Sequence, residues 1–187
     1  HGLVRDAQGK KMSKSLGNAL DPLGLIDEFG ADALRFSLAS LSTLGGQDIK
    51  FTPEKIQSAR NFANKIWNVT RFIMMILEES ENKIDINNLE TDNGLAEEWI
   101  LSSYNSLLES LNENYARYNY AQACDDIWDF TWNKFCDWYV EISKIDKEKS
   151  LPILIYILVN LLKTMHPTMP FITEEIWQKL AATKKIN

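Results

Sequence analysis

The run Thr52-Pro53-Glu54-Lys55-Ile56-Gln57-Ser58-Ala59-Arg60-Asn61-Phe62-Ala63-Asn64-Lys65-Ile66-Trp67-Asn68-Val69-Thr70-Arg71-Phe72-Ile73-Met74-Met75-Ile76-Leu77 decides how this chain folds. Ile56, Ala59, Ala63, Ile66, Thr70, Ile73 and Leu77 recur in alternating three- and four-residue steps. That is the spacing of one face of an α-helix. Thr52-Pro53 opens it, because Pro is at home in a first helical position where its missing N–H is not needed. Arg60, Lys65, Trp67, Asn68 and Arg71 fall off the apolar stripe. Spacing alone leaves two readings of them open: a solvated face with one half-buried Trp, or a surface that touches phosphate or RNA.

Working outward, the acidic, Asn-rich stretch from Glu78 to Asn93, closed by Gly94, reads as a loop. A second helix is predicted from about Leu95 to Tyr115, with Trp99, Ile100, Ser103, Leu107 and Leu111 facing inward. A third runs from about Asn119 to Ser143 on Tyr120, Cys124, Ile127, Thr131, Phe135, Trp138 and Ile142. Trp128, Trp132 and Tyr139 lie beside that stripe. Such a set could stack bases, but the acids around it would repel phosphate, so core packing is the expectation. Asp125, Asp126 and Asp129 read as solvated carboxylates rather than metal ligands. A fourth helix is expected from Ser150-Leu151-Pro152, with Ser150 as N-cap, to about Met165. His166-Pro167 and Met169-Pro170 force a turn, with His166 a structural turn residue. A last short helix places Ile176, Trp177 and Leu180 inward.

On the N-terminal side, Asp21-Pro22 is a helix start and Gly30 its end. Asp32 to Leu41 reads as a further helix with Leu34, Leu38 and Leu41 on one face, and Gly45-Gly46 breaks the pattern. The expected fold is therefore mainly all-α: a helical bundle over 51–187, preceded by a small α-rich connector over 1–50 with room for a short strand near Val4.

Apolar residues make up 45% of the 187, with six Trp and eight Phe, enough for a sizeable core. The net charge of −6 is unevenly spread. Residues 1–18 carry four basic groups and one acid, and residues 50–71 carry five basic groups against Glu54, whereas 78–141 carry three basic and fifteen acidic groups. A polyanion is expected near the N-terminal loop and the first long helix, away from the middle of the chain. Cys124 and Cys136 sit twelve residues apart in one predicted helix, roughly 18 Å and beyond disulfide reach. No Cys/His cluster has zinc spacing, and no residue is assigned to a metal. No signal peptide and no span of about 20 apolar residues is present. A reduced, cytosolic protein without a membrane partner is expected.

The N-terminal loop is Lys10-Lys11-Met12-Ser13-Lys14-Ser15-Leu16-Gly17-Asn18. Three ammonium groups fall within five residues, with Arg5 just upstream. Ser13 and Ser15 add hydroxyls, and Gly9 and Gly17 flank the group. Lysine is a compact charge on a flexible stem, suited to a polyphosphate whose charge shifts during reaction. The Walker A spacing is absent. On composition alone the alternative is a solvated basic turn.

Lys11-Met12-Ser13-Lys14-Ser15 matches the KMSKS signature of class I aminoacyl-tRNA synthetases at every position. Leu16-Gly17-Asn18 resembles the continuation in their branched-aliphatic subgroup. Arg60 to Asn68, followed by Arg71-Phe72, resembles the start of the anticodon-binding domain of the valyl, isoleucyl and leucyl enzymes. Gly46-Gln47-Asp48-Ile49, and Trp132 with Phe135-Cys136-Asp137-Trp138-Tyr139 and Glu141, look like the valyl version in particular. His166-Pro167 with Met169 to Trp177 is similar to the shared end of that bundle. The resemblance covers nearly the whole chain and is to a C-terminal fragment of the valyl-tRNA synthetases.

That resemblance implies activation of valine with ATP and Mg²⁺, then transfer to the 3′ end of a valine-specific tRNA. Lys11 and Lys14 would be the catalytic lysines, tightening on the triphosphate as charge builds on the leaving pyrophosphate. Ser13 and Ser15 would shape the loop and donate to phosphate. The bundle would hold the anticodon region, with Arg60, Lys65, Asn68 and Arg71 as contacts. The family's HIGH motif, Rossmann fold, valine pocket, editing domain and C-terminal coiled coil find no match in these residues. The expectation is a piece of a longer enzyme that contributes half an ATP site and is inactive alone, with no cofactor of its own. The alternatives are an isoleucyl- or leucyl-type fragment, a non-catalytic tRNA-binding helical module, and a helical scaffold for protein partners.

Overall fold

The computed structural model describes residues 2–42, 47–89 and 94–186. The Gly45-Gly46 break and the end of the acidic loop at 90–93 lie outside them. The described chain is helical apart from a two-stranded parallel sheet, β1 (Val4–Arg5) beside β2 (Ile49–Lys50), in register Val4↔Ile49 and Arg5↔Lys50. Two short helices, α1 (Pro22–Phe29) and α2 (Ala31–Ser40), bridge these strands. The bundle follows as α3 (Pro53–Glu79), α4 (Leu95–Ala116), α5 over 120–143, α6 (Lys147–Met165) and α7 (Pro170–Ala182). Among the described residues no helix is long and apolar enough to cross a membrane.

The long central helix forms as its periodicity predicts, but its buried face is turned slightly. Ile56, Ala59, Phe62, Ile66, Val69, Ile73 and Ile76 are buried, together with Thr70 and Leu77, while Ala63 is only partly covered. A benzyl ring gains far more from burial than a methyl group, so α3 points Phe62 inward. The Phe62 ring lies 5.3 Å from that of Phe36 on α2 and 6.2 Å from that of Trp128 on α5. Phe36 likewise displaces Leu38 on α2, leaving Leu38 39% exposed.

α5 departs most from a simple helical stripe. It is α-helical over Tyr120–Asp129, π-helical over Phe130–Tyr139 and α-helical again over Val140–Ser143. A π-turn advances each residue by less rotation than an α-turn. The inward face therefore drifts from the predicted Trp138 to Tyr139 and Val140. Tyr139 is fully buried and Trp138 stands 64% exposed. Tyr120 also points outward.

The other helices show similar local corrections. On α4 the inward side chains are Ile100, Tyr104, Leu107 and Leu111, with Trp99 at the surface and Ser103 half-buried. α6 begins earlier than Ser150: Asp146 is its N-cap, accepting from the Lys149 N–H at 3.1 Å. Ser150 is instead buried inside the helix and donates to Glu97 Oε1 at 3.1 Å. Tyr139 donates to the same oxygen at 3.3 Å, so the buried Glu97 is served by two hydroxyls. Of residues 151–162 all but Pro152, Tyr156 and Asn160 are buried, which makes α6 the centre of the bundle. Trp177 on α7 is 40% exposed, whereas Ile176 and Leu180 face inward as expected.

Three long-range polar contacts lock the connector and the C-terminus onto the bundle. Asp32 of α2 accepts from the N–H groups of Phe171 and Ile172, at 3.2 and 2.6 Å, and so caps α7 from a distance. Arg35 donates to the Pro167 carbonyl at 3.0 Å. Lys185 donates to the carbonyls of Leu77, Glu78 and Ser80, at 3.0, 3.0 and 2.7 Å, which satisfies the end of α3. The α1 cap is local: Asp21 accepts from Leu23 and Gly24, and Gly30 ends the helix at φ 91°.

Candidate functional site

The lysine loop grows out of β1. After Arg5 the chain turns through Asp6 to Gly9, where φ is +81°, and runs back antiparallel, pairing Arg5 with Lys11. The Met12 N–H returns to the Val4 carbonyl at 3.1 Å. Ser13 then starts a 3₁₀ turn over Lys14–Leu16, and Gly17 exits at φ +65°. Both glycines occupy left-handed conformations that a side chain would strain.

Two side chains tie this loop into one unit. Asp6 Oδ1 accepts from the N–H groups of Gln8 and Lys10, at 3.1 and 2.8 Å. Asp6 Oδ2 accepts from the Asn18 amide at 2.9 Å. The same Asn18 Nδ2 reaches the Lys11 carbonyl at 3.2 Å, and its Oδ1 accepts from the Ser13 N–H at 2.9 Å. The Asn18 amide, and next the Lys10 N–H, hold the Asp6 carboxyl below the usual carboxylate range. Ser13 Oγ lies 3.2 Å from Ser15 Oγ and accepts from the Leu16 N–H at 3.3 Å. At the base, Arg5 pairs with Asp48 and donates to the Gly9 carbonyl at 3.0 Å, while the Leu3 N–H donates to Asp48 at 2.9 Å. Those two contacts, the Leu3 N–H first, keep the Asp48 carboxyl low.

Lys10, Lys11 and Ser15 are exposed, and Ser13 is half-buried. Of Lys14 only the backbone, in the 3₁₀ turn, is described. The Lys11 ammonium has no ion-pair partner among the described residues, and the Lys10 charge acts on the nearby Asp6 carboxylate. The loop thus has a fixed frame and exposed positive charge, an arrangement that can receive an anion from solvent.

The off-stripe residues of α3 divide into two kinds. Arg60 donates to the Glu28 carbonyl at the end of α1, at 2.9 Å. Lys65 pairs with Asp137 at 2.6 Å and sits 5.3 Å above the Trp132 ring, which stacks on Trp128 at 5.2 Å. Asn68 and Arg71 are exposed, and their side chains have no partner among the described residues.

The remaining candidates are structural. His166 Nδ1 meets Thr173 Oγ1 at 2.8 Å across the α6–α7 turn. Cys124 and Cys136 are buried thiols, each pushed up to about 12 by burial, and behave as small apolar residues. Asp125 is raised chiefly by burial and then by Asp126, with Lys55 opposing. Among the described residues no group of three or more His, Cys, Asp or Glu could hold a metal ion.

Residues 1–52 match the family described as tRNA synthetases class I (I, L, M and V), and residues 97–187 match the anticodon-binding domain of tRNA ligase. The chain is 47% identical to the valine–tRNA ligase of Clostridium perfringens (strain 13 / Type A), over 97% of its own length and 21% of that protein's. Against the valine–tRNA ligase of Bacillus anthracis it is 43% identical, over 96% and 21%. The chain belongs to the class I aminoacyl-tRNA synthetases. It spans about a fifth of the length of these synthetase relatives.

Solved synthetases share the fold. A Mycobacterium tuberculosis methionyl-tRNA synthetase bound to methionyl-adenylate superposes with a TM-score of 0.76 at 21% identity, over 95% of this chain and 36% of that one. The LeuRS of Agrobacterium radiobacter K84, in a ternary complex with tRNA and LeuAMS, gives 0.74 at 24%, over 95% and 22%. At such identities the likeness concerns the fold alone.

Sequence reasoning about this synthetase chain missed the side chains that hold the loop. Asp6, Asn18 and Asp48 are polar residues in short irregular segments, where no periodicity marks them. One signal was available: an Asp or Asn beside Gly-rich turns commonly bonds nearby backbone N–H groups. Asp32 was legible as a helix residue, but nothing local said that it caps a helix 139 residues away.

Proposed function

We propose that this chain is the part of a valine–tRNA ligase that carries the triphosphate-binding KMSKS loop, over 1–50, and the bundle that holds the tRNA anticodon region, over 51–187. The observation that carries the reading is 43–47% identity to valine–tRNA ligases across 96–99% of the chain. Lys11 and Lys14 bind the ATP phosphates and strengthen that hold as pyrophosphate departs. Ser13 and Ser15 donate to phosphate oxygens from the 3₁₀ turn and its entry. Mg²⁺ would arrive with the ATP, since the described residues supply no cluster to hold it. Valine is met elsewhere in the longer enzyme. On the tRNA side Asn68 and Arg71 are the free contacts of α3, and the salt-bridged Lys65 and the carbonyl-bound Arg60 shape the surface around them. Both would need to exchange their partners to reach phosphate.

The isolated chain is expected to be inactive. Its described loop side chains stand in water, where a charge pair at 4 Å is worth only about 1 kcal/mol. Nothing in the loop aligns ATP with an amino acid. Valine-dependent pyrophosphate exchange tests this. The purified 187 residues should give none, and the longer ligase containing them should exchange. Exchange by the purified chain would refute the division of labour.

A further inference from the structure

We infer that Asn18, acting with Asp6, is a positioning residue that presets the lysine loop for adenylate formation; this rests on the triphosphate-binding reading of that loop. The Asn18 amide is used on all sides. Its oxygen takes the Ser13 N–H, and its nitrogen serves both the Lys11 carbonyl and the Asp6 carboxylate. The two loop contacts bracket Met12 and clamp the backbone that carries Lys11. Asp6 in turn grips the Gln8 and Lys10 N–H groups, so one bridge joins the incoming turn, the lysines and the exit past Gly17. All of these contacts lie within residues 6–18, and none of them reaches a helix of the bundle. The effect of the bridge is to fix where ammonium and hydroxyl groups stand on an otherwise solvent-exposed loop.

Fixed placement matters most in the transition state. A lysine on a long flexible stem can find a phosphate in the ground state from many backbone positions. Holding the developing pyrophosphate charge requires the right one, and misplacement by about 1 Å can cost about 10²-fold in rate. The bridge also has a polarity that can be reversed. Asn18→Asp sets two carboxylates against each other and removes the donor. Asp6→Asn sets two amide nitrogens against each other. The double variant Asp6→Asn/Asn18→Asp lets the new amide at position 6 donate to the new carboxylate at position 18. It keeps the net charge and the acceptors for the Gln8, Lys10 and Ser13 N–H groups, and loses only the donor to the Lys11 carbonyl, so its recovery is partial.

The test is steady-state pyrophosphate exchange in the longer ligase, with thermal unfolding alongside. Asn18→Asp is expected to lower kcat by about 10²-fold and to move the KM for ATP by less than about threefold, with an unchanged melting temperature. The double variant should recover about tenfold or more of that loss. A kcat within about twofold of wild type for Asn18→Asp, or a double variant no better than Asn18→Asp, overturns the inference. Lys11→Ala run in parallel separates the two levels. If Lys11→Ala abolishes exchange while Asn18→Asp does not, only the positioning role falls. If Lys11→Ala leaves exchange intact, the triphosphate reading falls with it.

Discussion

Lys14→Ala in the longer ligase is expected to reduce valyl-adenylate formation by about 10²–10³-fold, the usual cost of removing one preorganised charge stabiliser. Affinity for tRNA should hold nearly constant, because the loop and the bundle's α3 face are separate parts of the molecule. On the triphosphate-binding reading, the loss should fall on kcat more than on the KM for ATP, because such a charge would stabilise most where negative charge accumulates on the departing pyrophosphate. Lys14→Arg should rescue only in part. A guanidinium keeps the charge but presents a rigid planar fork where a compact, mobile ammonium is needed. Single-turnover adenylate formation with a parallel tRNA filter-binding assay would read both quantities. A variant that loses tRNA affinity and keeps adenylate formation would assign the lysine to RNA contact instead.

Phe62→Ala is expected to destabilise the isolated chain by about 3–5 kcal/mol, the range for emptying a fully buried aromatic site. For a domain of this size that corresponds to a fall in melting temperature of roughly 6–20 °C. The ring joins α2, α3 and α5 through its contacts with Phe36 and Trp128, so its loss loosens the joint between the connector and the bundle. Trp138→Ala is the contrast. That side chain has a comparable apolar surface but is 64% exposed, and a surface substitution should cost about 0.5 kcal/mol or less. Urea unfolding of the two variants would check the difference. Equal losses would mean that the inward face of α5 is the one an unbroken α-helix would present.

The contrast between these two residues shows how much of the fold was written in the sequence. Helix positions were legible because apolar spacing and Pro, Gly and Asp signals are local. Asp21-Pro22, Gly30, Thr52-Pro53 and the α6–α7 turn all lie where those signals put them. Helix phase was less legible. Phe62 against Ala63 and Tyr104 against Ser103 are one-residue rotations, decided by which side chain fits the neighbouring helices. The π-helical stretch of α5 was invisible, since a change of helical pitch leaves no mark in a spacing rule that assumes one pitch. The same limit applies to the loop. Its lysines and serines suit phosphate by type, but type alone left a solvated basic turn open. The bridge that places them depends on Asp6 and Asn18 meeting across twelve residues of irregular chain. Of the α3 residues that the resemblance implied as RNA contacts, spacing put all four alike off the apolar stripe, and only the three-dimensional contacts divide the free Asn68 and Arg71 from the engaged Arg60 and Lys65.

We propose the bundle as the tRNA-holding part of a valine-specific enzyme. The most direct test is binding of the purified 187 residues to valine tRNA and to isoleucine tRNA, each titrated with salt. The expected result is a preference of about tenfold or more for the valine tRNA, worth about 1.4 kcal/mol. Affinity should fall steadily as salt rises, and Arg71→Ala should reduce the log–log slope by about one. Equal affinity for the two tRNAs, or binding indifferent to salt and to Arg71, would contradict it.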